Sequence, residues 1–165
     1  ARQYLVDTIL DAGGFQHGFT YAGNPIACTA GLAVIEEIYN QDMMENVVKR
    51  SAELLSGLKA LMDKFSFIGD VRGKGLLTAF ELVSDRDTMA PLPASLRAFS
   101  HLVELAYERG LIIYSRRSRG GLEGDHFLVC PPMITTPEQI ADILAILNDS
   151  LNVFAKKFQL PTSNC

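Results

Sequence analysis

Apolar residues recur at three- and four-residue steps through the middle of the chain. Met44, Val48, Leu55, Leu58, Met62 and Phe65 make one stripe, and Val47, Leu54 and Leu61 widen it. That period lays one face of a helix on a core, so a long amphipathic helix is predicted from about Asp42. Asp42 and Glu45 stand at capping-box spacing at its start. A second stripe runs through Ile140, Ile143, Leu144, Leu147, Leu151 and Phe154. It follows Thr136-Pro137-Glu138-Gln139, a capping box with proline in the first turn. Phe99, Leu102, Val103 and Ala106 fit a shorter helix over 96–109, ended by Gly110.

Between these helices the pattern changes. Segments 67–71 and 76–83 read as strands separated by Arg72-Gly73-Lys74-Gly75, whose glycines suit a tight turn. Short apolar strands are predicted at 111–114 and 127–130, the second stopped by Pro131-Pro132. Residues 84–95, with Asp85, Asp87, Pro91 and Pro93, read as a surface loop, and 115–125 as a polar, glycine-bearing loop. Near the start, 2–11 forms a short helix with Tyr4, Leu5, Ile9 and Leu10 on its apolar side, ended by Gly13 and Gly14. Asn24-Pro25 then opens a helix to about Tyr39, with Asn as cap and Pro in the first turn. Its early small residues (Ala27, Cys28, Ala30, Gly31, Ala33) suit close approach to a neighbour. The tail after Phe158 is expected to fray. The sum is a sheet of three or four strands with mixed pairing, covered by helices: an α/β or α+β sandwich.

A length of 165 residues allows one domain, or one domain with a piece of another. The net charge of −4 disfavours nucleic acid as the main partner. No apolar run approaches the ~20 residues of a membrane span. Cys28, Cys130 and Cys165 form no CxxC pair; they fit two packed core thiols and a tail thiol in a reducing, cytoplasmic compartment. The chain starts Ala1-Arg2-Gln3, without an initiator methionine or a signal-peptide pattern, as an excised piece would.

Two segments could carry chemistry. In 13–25, glycines flank Thr20 and the aromatic pair Phe19 and Tyr21. A hydroxyl and neighbouring backbone N–H groups near a helix N-terminus can hold a phosphate. Equally, the segment fits an ordinary loop leading into a capped helix, since no Walker or dinucleotide fingerprint is present. The second segment is Tyr114-Ser115-Arg116-Arg117-Ser118-Arg119. Guanidinium forks match carboxylates, while a charge run also fits a solvated loop. Glu123 and Asp125 could pair with these arginines and orient the loop. Lys74 fits a structural turn position, His101 an exposed helix site, and His126 the start of a strand. Cys28 and Cys130 fit packed thiols without a base nearby in sequence.

His17-Gly18-Phe19-Thr20-Tyr21-Ala22-Gly23-Asn24-Pro25-Ile26-Ala27-Cys28 resembles the HGxT-x-x-GNPxAC segment of class III pyridoxal-phosphate aminotransferases. Ile68-Gly69-Asp70-Val71-Arg72-Gly73-Lys74-Gly75-Leu76 resembles that family's GDVRGxGL turn. Gly124-Asp125-His126 with Pro131-Pro132-Met133-Ile134-Thr135 resembles its GDH…PPxIT ending. The likeness covers residues 1 to about 157. It implies the C-terminal small domain of a fold-type I pyridoxal-phosphate-dependent transferase over 41–165. It also implies the tail of the large cofactor-binding domain over 1–40.

The same resemblance implies the cofactor pyridoxal 5'-phosphate. Thr20, with Phe19 beside it, would bind the cofactor's phosphate across a homodimer interface, so the site is shared between subunits. An arginine of the 116–119 run would bind substrate carboxylate. Arg119 and Arg117 are the favoured choices; Arg116 is also possible, because the loop is longer than in many relatives. The family's Schiff-base lysine and its pyridine-pairing aspartate lie upstream of Thr20, beyond Ala1, so no catalytic residue is assigned here. The activity implied is transfer of an amino group from an amino acid or amine to a 2-oxo acid such as pyruvate. The 165 residues alone are expected to be inactive. The alternatives are a non-catalytic module that dimerises or binds a small anion, and another class III enzyme of aminomutase or decarboxylase-like type.

Overall fold

The computed structural model describes residues 1–118 and 123–162. They form two compact units, Ala1–Gln41 and Asp42–Cys165. In the first, α1 (Gln3–Asp11) ends at Gly13 and Gly14, whose φ values of +111° and +90° favour glycine. The second helix, α2 (Pro25–Asn40), begins as its sequence predicts. Asn24 Oδ1 accepts from the Ile26 and Ala27 N–H groups at 3.0 and 3.2 Å. Neither helix buries a residue, so the small side chains of α2 face solvent.

The second unit runs α3 (Met43–Lys64), β1 (Ile68–Lys74), β2 (Leu77–Asp85), β3 (Ala90–Pro91), a 3₁₀ turn (Ala94–Leu96), α4 (Ala98–Tyr107), β4 (Tyr114–Ser118), β5 (Glu123–Val129) and α5 (Pro137–Phe158). The sheet order is β1-β2-β5-β4, with β3 paired to β2. This is the mixed α/β class the sequence implies. The mixed pairing is corrected: every pairing among the described strands is antiparallel. Strands β1 and β2, and β4 and β5, are each consecutive along the chain, and short connections leave only antiparallel geometry.

Helices α3, α4 and α5 supply Leu54, Leu58, Leu102, Leu147, Leu151 and Phe154 to one core with Phe80, Leu82 and Phe127 of the sheet. Phe80 and Phe127 lie stacked at its centre, 5.0 Å between ring centroids. Gly57 lets α3 approach α5: a Cβ there would stand 2.6 Å from Leu144 Cδ2. Thr136 and Gln139 form both bonds of the capping box that starts α5.

Several expectations need correction. Asp42 makes no side-chain cap; its φ of +47° is left-handed, and a cap needs an extended residue whose side chain turns back on the helix amides. Met44 and Val48 are exposed, because the inner face of α3 is the row Arg50, Leu54, Leu58 and Leu61. The loop at 84–95 contains β3 and the 3₁₀ turn. The tail is pinned as far as Thr162, by a bridge from Phe65 to Thr162 and a 3.0 Å bond from Ser66 Oγ to Pro161 O. Cys28 and Cys130 are exposed, not packed; Cys165 lies outside the described residues.

Candidate functional site

In the first unit, Thr20 occupies a turn in which Ala22 N–H donates to Phe19 O at 2.9 Å and Asn24 N–H to Tyr21 O at 3.0 Å. Gly23, at φ +77°, completes the bend into α2. Thr20, Phe19 and Tyr21 are all exposed. Asn24 itself satisfies the first amides of α2, since its side chain takes Ile26 and Ala27 and its carbonyl takes Cys28. An anion at this bend would therefore meet the Thr20 hydroxyl and the backbone of the turn, not the free end of the helix. His17 stacks edge-on against Phe19, 4.9 Å between centroids.

In the second unit the arginine run is a strand. The expected strand at 111–114 and loop from 115 are corrected: β4 covers Tyr114–Ser118. Its polar side chains hid it from a search for apolar alternation. Alternation along a strand sends Ser115 and Arg116 to opposite faces, and the register with β5 shifts between Arg116 and Ser118. Ser115 opposes Phe127 of the core, whereas Arg116 opposes His126 on the other face. His126 in turn opposes Glu81, and Glu81 opposes Asp70. Arg72 bonds both Asp70 and Glu81, the second at 3.2 Å. The result is a charged row across the sheet face away from the helices.

Arg116 is exposed, with its guanidinium carbon 5.3 Å from the Tyr114 ring centroid. Arg117 is only 17% exposed in its side chain. Its Nε lies 3.6 Å from Asp125 Oδ1, and its guanidinium carbon 5.4 Å from the Phe99 ring centroid. Arg119, the other favoured carboxylate ligand, lies outside the described residues.

Asp125 is 2% exposed. It accepts the Phe99 N–H at 3.2 Å, in the first turn of α4. Arg97 at that helix's N-cap is left-handed and makes no side-chain cap, so a carboxylate from β5 does the capping. Burial pushes the Asp125 carboxyl above its ordinary pKa, against the opposing pull of Arg117 and the Phe99 N–H. The pairing of Asp125 with an arginine is readable from GDH beside an arginine run. The α4 cap is not, since it joins residues far apart in the chain. His101 is partly buried, not exposed: its Nδ1 lies 2.8 Å from Leu96 O and its ring 5.3 Å from Phe158. Lys74 ends β1.

Residues 2–151 match the family described as Aminotransferase class-III. The taurine–pyruvate aminotransferase of Bilophila wadsworthia is 37% identical over 142 residues, covering 86% of this chain and 30% of that protein. A mitochondrial gamma aminobutyrate transaminase of Solanum lycopersicum is 29% identical over 147 residues, covering 89% of this chain and 27% of that protein. Among solved structures, a PLP-bound amine transaminase from an uncultivated Pseudomonas species superposes with a TM-score of 0.77 at 31% identity. That match covers 92% of this chain and 34% of that structure. The chain belongs to the class III aminotransferase family. Its fold is that of part of a fold-type I pyridoxal-phosphate transaminase, and it spans about a third of the length of such relatives.

Proposed function

We propose that this chain is the C-terminal part of a pyridoxal-phosphate-dependent aminotransferase. The enzyme moves an amino group from an amino acid or amine to a 2-oxo acid such as pyruvate. It works in the cytoplasm as a homodimer whose site is shared between subunits, and residues 1–40 belong to its large domain. The observation that carries this reading is Thr20. It stands exposed at the bend before α2, with no side-chain hydrogen bond among the described residues, inside the segment that resembles the family's phosphate-binding stretch.

An exposed, unengaged hydroxyl on a glycine-bounded bend fits one edge of a phosphate. The Thr20 hydroxyl would donate to the phosphate of a cofactor seated in the other subunit, and Phe19 would lie against the cofactor. When bound, pyridoxal phosphate supplies an electron-withdrawing ring that stabilises negative charge at the substrate carbon bearing nitrogen. An arginine of the β4 run would orient the substrate through its carboxylate. The proton-carrying lysine belongs to the preceding polypeptide, so the 165 residues alone neither retain the cofactor nor transaminate.

The test uses the full-length enzyme. Thr20→Ala should weaken cofactor retention by about 1–3 kcal/mol, the cost of leaving a charged acceptor unpaired. Equilibrium dialysis against pyridoxal phosphate measures it, and unchanged retention would remove Thr20 from the site. A panel of amino donors with pyruvate, followed by absorbance, tests the activity itself.

A further inference from the structure

The apolar stripe of α3 continues past the core. Met44 and Val48, with Leu77 at the start of β2, are 59%, 68% and 63% exposed. These three are not scattered: together with Met133 they line one open groove of about 700 Å³. Val47 and the buried Leu76 line it too. The turn between β1 and β2 sits close on α3, since a Cβ at Gly75 would stand 3.2 Å from Val47 Cγ1. The segment after β5 is held as well, because Asn46 of α3 donates to the carbonyls of Met133 and Thr135 at 2.8 and 3.0 Å. The groove is therefore part of the folded unit. Its volume falls in the range of small-molecule sites, about 300–1,000 Å³, which are mostly apolar with a few polar groups.

Those polar groups select the ligand. Among the described residues, Lys74 is the charged side chain that lines the groove. It is exposed, and its ammonium has no ion pair or hydrogen bond among those residues. Glu45 and Lys49 at the start of α3 pair with each other at 2.6 Å, which leaves Lys74 as the cation open to a ligand. A molecule that fits has an apolar body and an anionic head. Met44 and Met133 are unbranched and adaptable, and suit a flexible hydrocarbon chain.

We propose that this groove binds an aliphatic monocarboxylate, a free fatty acid of about eight to twelve carbons. Its chain lies along Met44, Val48, Leu77 and Met133, and its carboxylate meets the Lys74 ammonium. The groove shares no residue with the Thr20 bend or the arginine run, so it is an accessory site independent of the aminotransferase reading. Cys130, exposed on the same groove, is its natural reporter, because a bound chain covers the thiol.

The experiment uses the full-length enzyme, with decanoate below its micellar concentration as the probe. Calorimetry follows binding, and peptide mass spectrometry follows alkylation of Cys130 by N-ethylmaleimide. Decanoate should bind saturably and slow that alkylation at least fivefold. Hexanoate, four methylenes shorter, should bind at least tenfold more weakly, since each methylene taken from water adds up to about fourfold in affinity. Decyltrimethylammonium, with the same chain and the opposite charge, should bind at least threefold more weakly than decanoate. Lys74→Gln should weaken decanoate about threefold, as loss of an exposed ion pair does, and erase the preference for the anionic head. Val48→Glu places a carboxylate on the groove wall, at a position exposed enough to leave folding intact, and should abolish protection of Cys130.

Equal binding of both head groups by the wild type overturns the proposal, since the surface is then merely apolar. So does undiminished decanoate affinity in Val48→Glu, which puts the ligand elsewhere. A Cys130 that resists maleimide without decanoate, in a protein that binds no decanoate, also overturns it: the groove is then filled by the enzyme's own preceding polypeptide. Alkylation that quickens on dilution and ignores decanoate overturns it in favour of a second copy of the chain.

Discussion

A carboxylate shut away from water costs more to ionise than the same group on a free chain. Burial raises the Asp125 pKa, and Arg117 with the Phe99 N–H only partly offsets the rise. The folded protein therefore holds this proton to higher pH than the unfolded chain does. The group's stabilising contribution is full below the unfolded pKa, about 4, and falls as pH rises through the folded value. Asp125→Asn has no such titration. The stability difference between wild type and variant should decline from about pH 4 upward in denaturant melts taken at stepped pH; a flat difference would show that Asp125 is ionised at no cost. Arg117→Gln leaves this carboxylate buried without its partner. It should push the Asp125 pKa further up and lower stability at neutral pH, since the cation that pairs with the carboxylate among the described residues is gone. Sequence spacing brought Asp125 and the arginines to notice together. It could not rank Arg116 against Arg117, because that depends on how far each is buried, and the strand was hidden by its polarity.

The helices were the most legible elements, because their starts are written locally. Asn24 and Thr136 each sit beside a proline, and both cap as their sequences imply. Thr136→Ala should destabilise the unit by about 1 kcal/mol, seen as a lowered midpoint in urea. Asp42 shows the limit of such reading: its spacing is right, but its backbone is left-handed. Helix proximity is likewise invisible in sequence. Replacing Gly57 by alanine gains about 1 kcal/mol of helix propensity. Its new methyl would stand 2.9 Å from Leu144 Cγ, which a rotation of the isopropyl group does not relieve. Overpacking costs about 1–3 kcal/mol, so the net effect should be destabilising. Gly57→Ala with Leu144→Ala should then lose less than the two single changes summed; full additivity would mean that α3 and α5 do not meet there.

For the whole chain, the contrast between its units is the main physical fact. Ala1–Gln41 contains no buried residue, whereas the second unit holds the aromatic and leucine core. At 9 residues α1 is too short to hold in water without tertiary packing, and α2, at 16, stands only just beyond the marginal length. In the 165-residue chain, amide exchange should therefore be fast through residue 41 and slow in α3, β2, β5 and α5. Slow exchange in α2 would show that it has found a packing partner. That α2 is rich in small residues was plain from the sequence. That they lie exposed was not, since small side chains suit a packed face and an open one alike.

Arg86 ties α3 to β1 by a different means: its guanidinium donates to the carbonyls of Ile68 and Phe65 at 2.8 Å and also to that of Met62. Carbonyl oxygens take up no proton in mild acid, and arginine loses none in base. Acidification strips the carboxylate links of the molecule one after another but leaves this knot intact. The corner where α3 turns into the sheet should thus be the last part of the second unit to come undone as a solution is made sour.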